Sequence, residues 1–277
     1  MAKASRSVVS CLTHSALPAV FGLMVAAVPG FSPAHAEVQI GADNNNVDNP
    51  LVQPQDPALS GGGRDQSLQN GDILIGTRGA DVQIGLLGID TIHGDRGSDV
   101  QIGGPDPGPP NNDRAFGGPG ADVFLWQPGD GSDFYDGGPG ADAVVFGDIT
   151  IDEASGLPFL YDEDGLPEIN VTDNGGFCEV VDGADPDDAA ALEELGLDHL
   201  VRFFARGPAD TFEAGTQTED NGLRVTLHLV NVQYAVCAVR DGGAIEVFDL
   251  GVSPPAVIDI EDIGNTRLRR QLQAIVL

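Results

Sequence analysis

Through the first half of this chain the apolar residues come in clusters of three or four, each pinned between glycines. GDILIG at 71–76, ADVQIG at 80–85, IDTIHG at 89–94 and SDVQIG at 98–103 show the form. Runs this short, bounded by glycine and aspartate, predict brief strands separated by tight turns. Past residue 148 the texture changes. Leu223, Val225, Leu227 and Leu229 alternate with Arg224, Thr226 and His228, which predicts a longer half-buried strand. Shorter stretches of that kind occupy Ile169 to Val171, Leu200 to Phe204, Ile245 to Phe248 and Val257 to Ile260. One helix is expected from Asp185 to near Gly196, with Pro186 at its first position. Another is expected after Asn265, where Leu268, Leu272, Ile275 and Val276 share one face. The expected fold is mainly all-β: a repetitive segment over 68–148, then a β-rich domain over 149–277 with one or two short helices. Residues 37–67 are rich in Asn, Pro, Gln and Gly without a period, and read as a disordered linker.

The aspartates of the turns keep a fixed register. Asp72, Asp81, Asp90 and Asp99 are spaced by nine, and TRGADVQIG at 77–85 returns as DRGSDVQIG at 95–103. A strict short period marks a solenoid in which every turn repeats one geometry. Carboxylates recurring at the same point of each turn call for a cation between them. Calcium suits such a site, because it takes roughly 6–8 hard oxygen ligands in a tolerant geometry.

The units fit G-G-x-G-x-D followed by x-U-x, where U is a large apolar residue. In this the chain resembles the haemolysin-type, or RTX, calcium-binding repeat proteins, over about 80 residues. The resemblance implies a parallel β-roll in which two units make one coil and several Ca²⁺ ions lie between stacked turns. Asp72 would stack with Asp90 and Asp81 with Asp99, with carbonyls near Gly76, Gly79, Gly94 and Gly97 as co-ligands. It carries over to Asp113, Asp122, Asp133 and Asp142 as the later aspartate positions. Uneven spacings around PDPGPPNN at 105–112, and again between Asp122 and Asp133, predict a bulge or a second short roll segment.

Two units depart from the pattern. Gln83 and Gln101 stand where a large apolar residue belongs, while Leu74, Ile92, Phe124 and Val144 conform. If the glutamines point inward, their amides must form a ladder, since an unpaired buried amide costs roughly 1–3 kcal/mol. Val82, Ile84, Val100 and Ile102 would then face outward as an apolar strip that needs a cover, either the second region or another subunit.

Charge and processing narrow the setting. Residues 1–36 carry Lys3, Arg6, the apolar run VFGLMVAAV and a closing Ala34-His35-Ala36, the layout of a secretory signal peptide. The formal charge is −30, and losing the signal would make it more negative by two. Such a surface repels nucleic acid and anionic lipid, and no segment is apolar enough to span a membrane. A secreted or periplasmic location makes a disulfide between Cys178 and Cys237 plausible.

Catalytic signatures are absent from the sequence. There is no H-E-x-x-H, no G-x-S-x-G and no phosphate-binding loop, and the histidines are isolated. Asp162, Asp164 and Gly165 fail as an EF-hand because the remaining ligand positions are apolar. Trp126 and Tyr135 could stack on a sugar, although a core role explains them better. The leading expectation is an exported calcium-binding protein with a structural or binding role. The alternatives are a secreted hydrolase with its chemistry in 149–277, or an adhesin or matrix component. A protein or polysaccharide partner is left open.

Overall fold

The computed structural model describes residues 38–41, 52–54, 71–86, 88–104, 112–151, 158, 165–172, 176–181, 186–205, 224–239 and 244–276. The expected signal peptide, Asp162 and Asp164 lie outside them. The fold is mostly β, with parallel strands running through two large sheets.

The first sheet contains β1 (Val38–Ile40), β4 (Val82–Ile84), β6 (Val100–Ile102), β8 (Val123–Trp126) and β10 (Ala143–Phe146), paired in that order and all parallel. The second contains β3 (Asp72–Ile75), β5 (Thr91–His93), β7 (Arg114–Phe116) and β9 (Phe134–Asp136), also parallel. β2 (Val52–Pro54) closes one edge of the second sheet, antiparallel to β3. From β3 to β10 the chain alternates strictly between the sheets, so each crossing adds one strand to each in turn.

Both sheets run on past residue 148. β16 (Tyr234–Ala238) joins β10 in parallel, followed by antiparallel β17 (Ile245–Asp249) and β18 (Ala256–Ile258). β15 (Arg224–Val230) joins β9 in parallel, followed by antiparallel β14 (His199–Ala205) and β13 (Gly176–Val181). The second region is thus built onto the open end of the stack. A small pair, β11 (Asp148–Ile149) with β12 (Ile169–Asn170), lies beside it. The disulfide Cys178–Cys237 ties β13 in one sheet to β16 in the other, with Cα atoms 5.9 Å apart. Closing a loop of 59 residues stabilises the fold by about 4 kcal/mol in the chain-entropy picture.

The inner faces of the two sheets meet in an apolar core. Leu74, Ile92, Ala115, Tyr135 and Leu229 of the second sheet pack with Phe124, Val144, Ala235 and Cys237 of the first. Trp126 and Tyr135 are buried here: the Trp126 indole N–H donates to Gly131 O at 3.1 Å, and Tyr135 stacks on Phe124. Neither ring is open to a sugar.

Gln83 and Gln101 point inward and form the amide ladder that their position demands. Gln101 Nε2 donates to Gln83 Oε1 (2.9 Å), and Gln83 Nε2 donates to Gln39 Oε1 (3.0 Å). Each also donates across the interior to a carbonyl of the second sheet: Gln39 to Ile75, Gln83 to His93, Gln101 to Phe116. The ladder therefore joins the two sheets by hydrogen bonds beside the apolar core.

The opposite face of that sheet is covered by α2 (Thr266–Val276), whose Leu268, Leu272 and Ile275 pack with Val82, Ile84, Val100 and Ile102. Asn265 caps it, its side-chain oxygen accepting from the N–H groups of Arg267 and Leu268. β4, β6, β8 and β10 of the first sheet are buried on both faces, whereas β5 and β9 of the second present half-buried side chains outward. The other helix, α1 (Pro186–Leu195), starts at Pro186 and stops before Gly196, which takes φ +68°.

Two expectations need correction. The stretch 37–67 contributes β1 and β2; VQIG at 38–41 repeats VQIG at 82–85 and 100–103, and its three residues pair with Val82, Gln83 and Ile84. The uneven spacings beyond Asp99 also leave the strands in register, since both parallel stacks continue unbroken through β7, β8, β9 and β10. Lengthened turns can take up extra residues on the periphery without shifting the ladder behind them. The proline-rich residues 105–111 lie outside the described set.

Candidate metal centre

The eight candidate aspartates, four expected from spacing and four from the resemblance, sit one per turn, at the two ends of the strands. All are buried, none more than 1 % exposed. Along one side Asp72 N–H donates to Asp90 Oδ1 (2.6 Å), Asp90 to Asp113 (2.7 Å) and Asp113 to Asp133 (2.9 Å). Along the other, Asp81 donates to Asp99, Asp99 to Asp122 and Asp122 to Asp142, each at 2.8 Å. Separations of 18, 23 and 20 residues thus yield one geometry. The carbonyls take part as well: Arg114 N–H donates to Asp90 O, Val123 N–H to Asp99 O and Ala143 N–H to Asp122 O. Each aspartate is fastened to its neighbour through both backbone and side chain.

The second ladder ends on a different residue. Asp142 N–H donates to Gln233 Oε1 at 2.7 Å, so a neutral amide occupies the place of the next carboxylate. Nothing in the nine-residue period marks Gln233. Its signal is its place just before β16, where the other turns carry aspartate.

One oxygen of each carboxylate after the first in each column is thereby committed to a neighbouring amide. The second oxygens of Asp99, Asp113, Asp122 and Asp142 are buried without a hydrogen-bond partner. Asp81 differs, because Thr77 donates to its Oδ2 through the backbone N–H (2.5 Å) and the hydroxyl (3.0 Å). The equivalent residues of the following turns are Asp95, Gly118 and Gly138, with φ of +70°, +97° and +81°. A β-branched threonine avoids that region, so Thr77 stands in a different turn geometry from its successors.

Glycine at the start of each turn leaves room beside these oxygens. A Cβ placed on Gly94 would collide with Asp99 Oδ2 and Gly117 O together. On Gly117 it would come within 2.7 Å of Asp122 Oδ2 and 2.8 Å of Gly137 O. Gly76 sits in the same relation to Asp81 Oδ2 and Gly94 O, and Gly97 to Gly79 O and Asp99 Oδ1. The predicted co-ligand glycines are therefore assembled with their aspartates, and carboxylate and carbonyl oxygens converge in a hollow that any side chain would fill.

Electrostatics makes the same spots costly for bare anions. Burial pushes the Asp99 carboxyl up to about 8, helped by the neighbouring Asp122 and Asp81 and opposed by the Asp81 N–H and Arg267. Asp142 is pushed up to about 8 and Asp122 to about 7, in both cases chiefly by burial. Asp113 lies well above the ordinary range through burial, with Asp133 and Asp90 adding repulsion. Arg267, in the first turn of α2, is the cation acting on Asp99 and Asp122.

Among the described residues, no group of three or more His, Cys, Asp or Glu side chains is arranged to hold one ion by itself. A cation here would have to take one or two carboxylates and complete its shell with backbone carbonyls. That donor set is all hard oxygen, which fits calcium and excludes soft-ligand chemistry. His199 and His228 lie on strands of the second sheet, His228 bonding Asp133 O only through its backbone N–H, and His93 stacks on Phe116. The chain matches no protein-family model, no curated protein and no solved structure.

Proposed function

We propose that this chain is an exported calcium-binding repeat protein of haemolysin type. On this reading its nonapeptide units form a parallel β-roll that closes on calcium, and it serves a structural or binding role outside the cytoplasm. The observation that carries the reading is the double ladder of buried aspartates, with unpartnered Oδ2 atoms aimed beside glycine carbonyls. A buried carboxylate oxygen without a donor is expensive unless a proton or a cation meets it. Calcium bound there would neutralise neighbouring turns together.

The protein's own groups do the remaining work. Amides of one turn orient the Oδ1 of the next, so the carboxylates are held in place before any ion arrives. The glycines keep the hollows open. The Asp95, Gly118 and Gly138 turns leave Oδ2 available where Thr77 does not, which favours sites from Asp99 onward on that side. The Cys178–Cys237 bridge supports the extracytoplasmic setting, since such bonds persist where the environment is oxidising.

Thermal unfolding of the full chain in calcium and in chelator, followed by circular dichroism, tests the reading. Calcium should raise the melting temperature and magnesium should do so much less. Identical melting in calcium and in chelator would refute it.

A further inference from the structure

The stacked turns continue past the last repeat. After β15 the chain crosses back from the second sheet to the first through Asn231, Val232 and Gln233. Register sets Val230 beside Asp136 and Tyr234 beside Ala143, so this crossing is one further turn, shorter than the turn at 137–142. It rests directly on the turn of Asp142. Gly137 N–H donates to Val230 O (3.0 Å), and the N–H groups of Gln233 (3.0 Å) and Tyr234 (3.1 Å) donate to Asp142 O.

On this side each hollow pairs a carboxylate with a carbonyl of the following turn, Asp99 with Gly117 O and Asp122 with Gly137 O. For Asp142 that carbonyl belongs to Asn231. A Cβ on Gly137 would come within 2.7 Å of Asn231 O and 2.6 Å of Asp142 Cβ, as one on Gly117 would meet Gly137 O and Asp122. We infer that this last hollow is a composite calcium site. Asp142 from the repeat and the main-chain oxygen of Asn231 from the second region hold one ion between them. The inference rests on the calcium reading above and adds to it a ligand that lies outside the repeat.

Both halves of the site are held in place. Asp142 is fully buried; its Oδ1 accepts from the Asp122 N–H at 2.8 Å, and its Oδ2 has no hydrogen-bond partner. Asn231 adopts φ +55°, a left-handed conformation that asparagine tolerates better than most residues. Two carboxylates anchor it there: its N–H donates to Asp198 Oδ2 (2.7 Å) and its Nδ2 to Asp136 Oδ1 (2.9 Å). Gln233 Nε2 donates to Asn231 O at 3.1 Å, which leaves the second lone pair of that oxygen for a cation. Asn231 is exposed, so water can complete a shell of roughly 6–8 hard oxygens. An ion at this point ties the β15–β16 crossing, and through Asp198 the start of β14, to the end of the aspartate column.

Native mass spectrometry of the full chain, stripped with chelator and resupplied with calcium, counts the bound ions. Asp142→Asn keeps an oxygen for the Asp122 N–H but loses the anionic ligand, and should bind one ion fewer than the wild type. Asn231→Val should also lose one ion, because a β-branched residue avoids positive φ and withdraws the carbonyl. Hydrogen exchange gives a second readout that does not depend on the count. Calcium should slow exchange over 228–236 in the wild type but not in Asp142→Asn, which should still show calcium protection around Asp99. An unchanged ion count in either variant, or calcium protection of 228–236 that survives in Asp142→Asn, would overturn the composite site alone. A wild type that binds no calcium would overturn this site and the calcium reading together.

Discussion

Replacing Asp122 with Asn should have opposite effects on stability in the absence and presence of calcium. The amide keeps an oxygen able to accept from Asp99 N–H, so the ladder bond at 2.8 Å survives. What changes is the charge. In the metal-free protein the Asp122 carboxyl is pushed from 3.8 up to about 7. A displacement of about three pKa units corresponds to at most about 4 kcal/mol of unfavourable ionisation in the folded state at pH 9. Asp122→Asn removes that cost, so in chelator at pH 9 the variant should melt higher than the wild type. In calcium the sign reverses, because the variant loses an anionic ligand. A site at a hundredfold excess of ion over its dissociation constant contributes about 2.7 kcal/mol, and losing it should lower the melting temperature by several degrees. Parallel melts of both proteins in calcium and in chelator supply the measurement. Equal destabilisation under both conditions would refute the argument, since Asp122 would then act only as a hydrogen-bonding wedge.

Other expectations rest on separate features. For metal-free protein, the raised pKa values of Asp99 and Asp142 mean that the folded state binds protons the unfolded state has released. Stability is then fully present below about pH 4 as far as these groups are concerned, and falls by up to about 1.4 kcal/mol per pH unit per group until pH passes their folded values near 8. Denaturant melts across that range in chelator should show the decline, and calcium should flatten it. Gly94→Ala fills the hollow beside Asp99 Oδ2 and should cost about 1–3 kcal/mol while weakening calcium-induced stabilisation. Leu272→Ala, at a fully buried position of α2, should cost about 2–5 kcal/mol by urea unfolding and increase binding of a hydrophobic dye. Tyr135→Phe removes a buried hydroxyl that has no hydrogen-bond partner, and should leave stability unchanged or raise it by about 1 kcal/mol.

Much of this architecture is legible in the residues because the repeat is a physical rule stated many times over. Spacing alone identifies Asp72, Asp81, Asp90 and Asp99, the resemblance adds the four later aspartates, and the inward glutamines can be deduced from their place in the unit. The deduction also requires a cover over Val82 and Ile84, and the amphipathic run after Asn265 supplies it. Other parts are harder to see. The strand at Val38 lies in a polar stretch without periodicity, and only the third copy of VQIG betrays it. The continuity of the stack through the proline-rich insertion is hidden because register is set by hydrogen bonds between turns, not by the length of chain joining them. Gln233 has no spacing signal. The return of β15 and β16 to the two sheets likewise follows from tertiary pairing over some ninety residues, which local pattern does not encode.

The aspartate ladders have a direction: each backbone N–H donates forward to the carboxylate of the next turn. Asp142 is the last donor in one of them, and Gln233 answers it with an uncharged group before β16 turns the chain into antiparallel pairing. The second ladder thus has a finished end at Gln233. Duplicating a unit within the column would add a storey without disturbing its neighbours, whereas nothing of the same kind could be added beyond Gln233. Length can vary in such a protein by internal copying, with the second ladder still closing on the neutral Gln233.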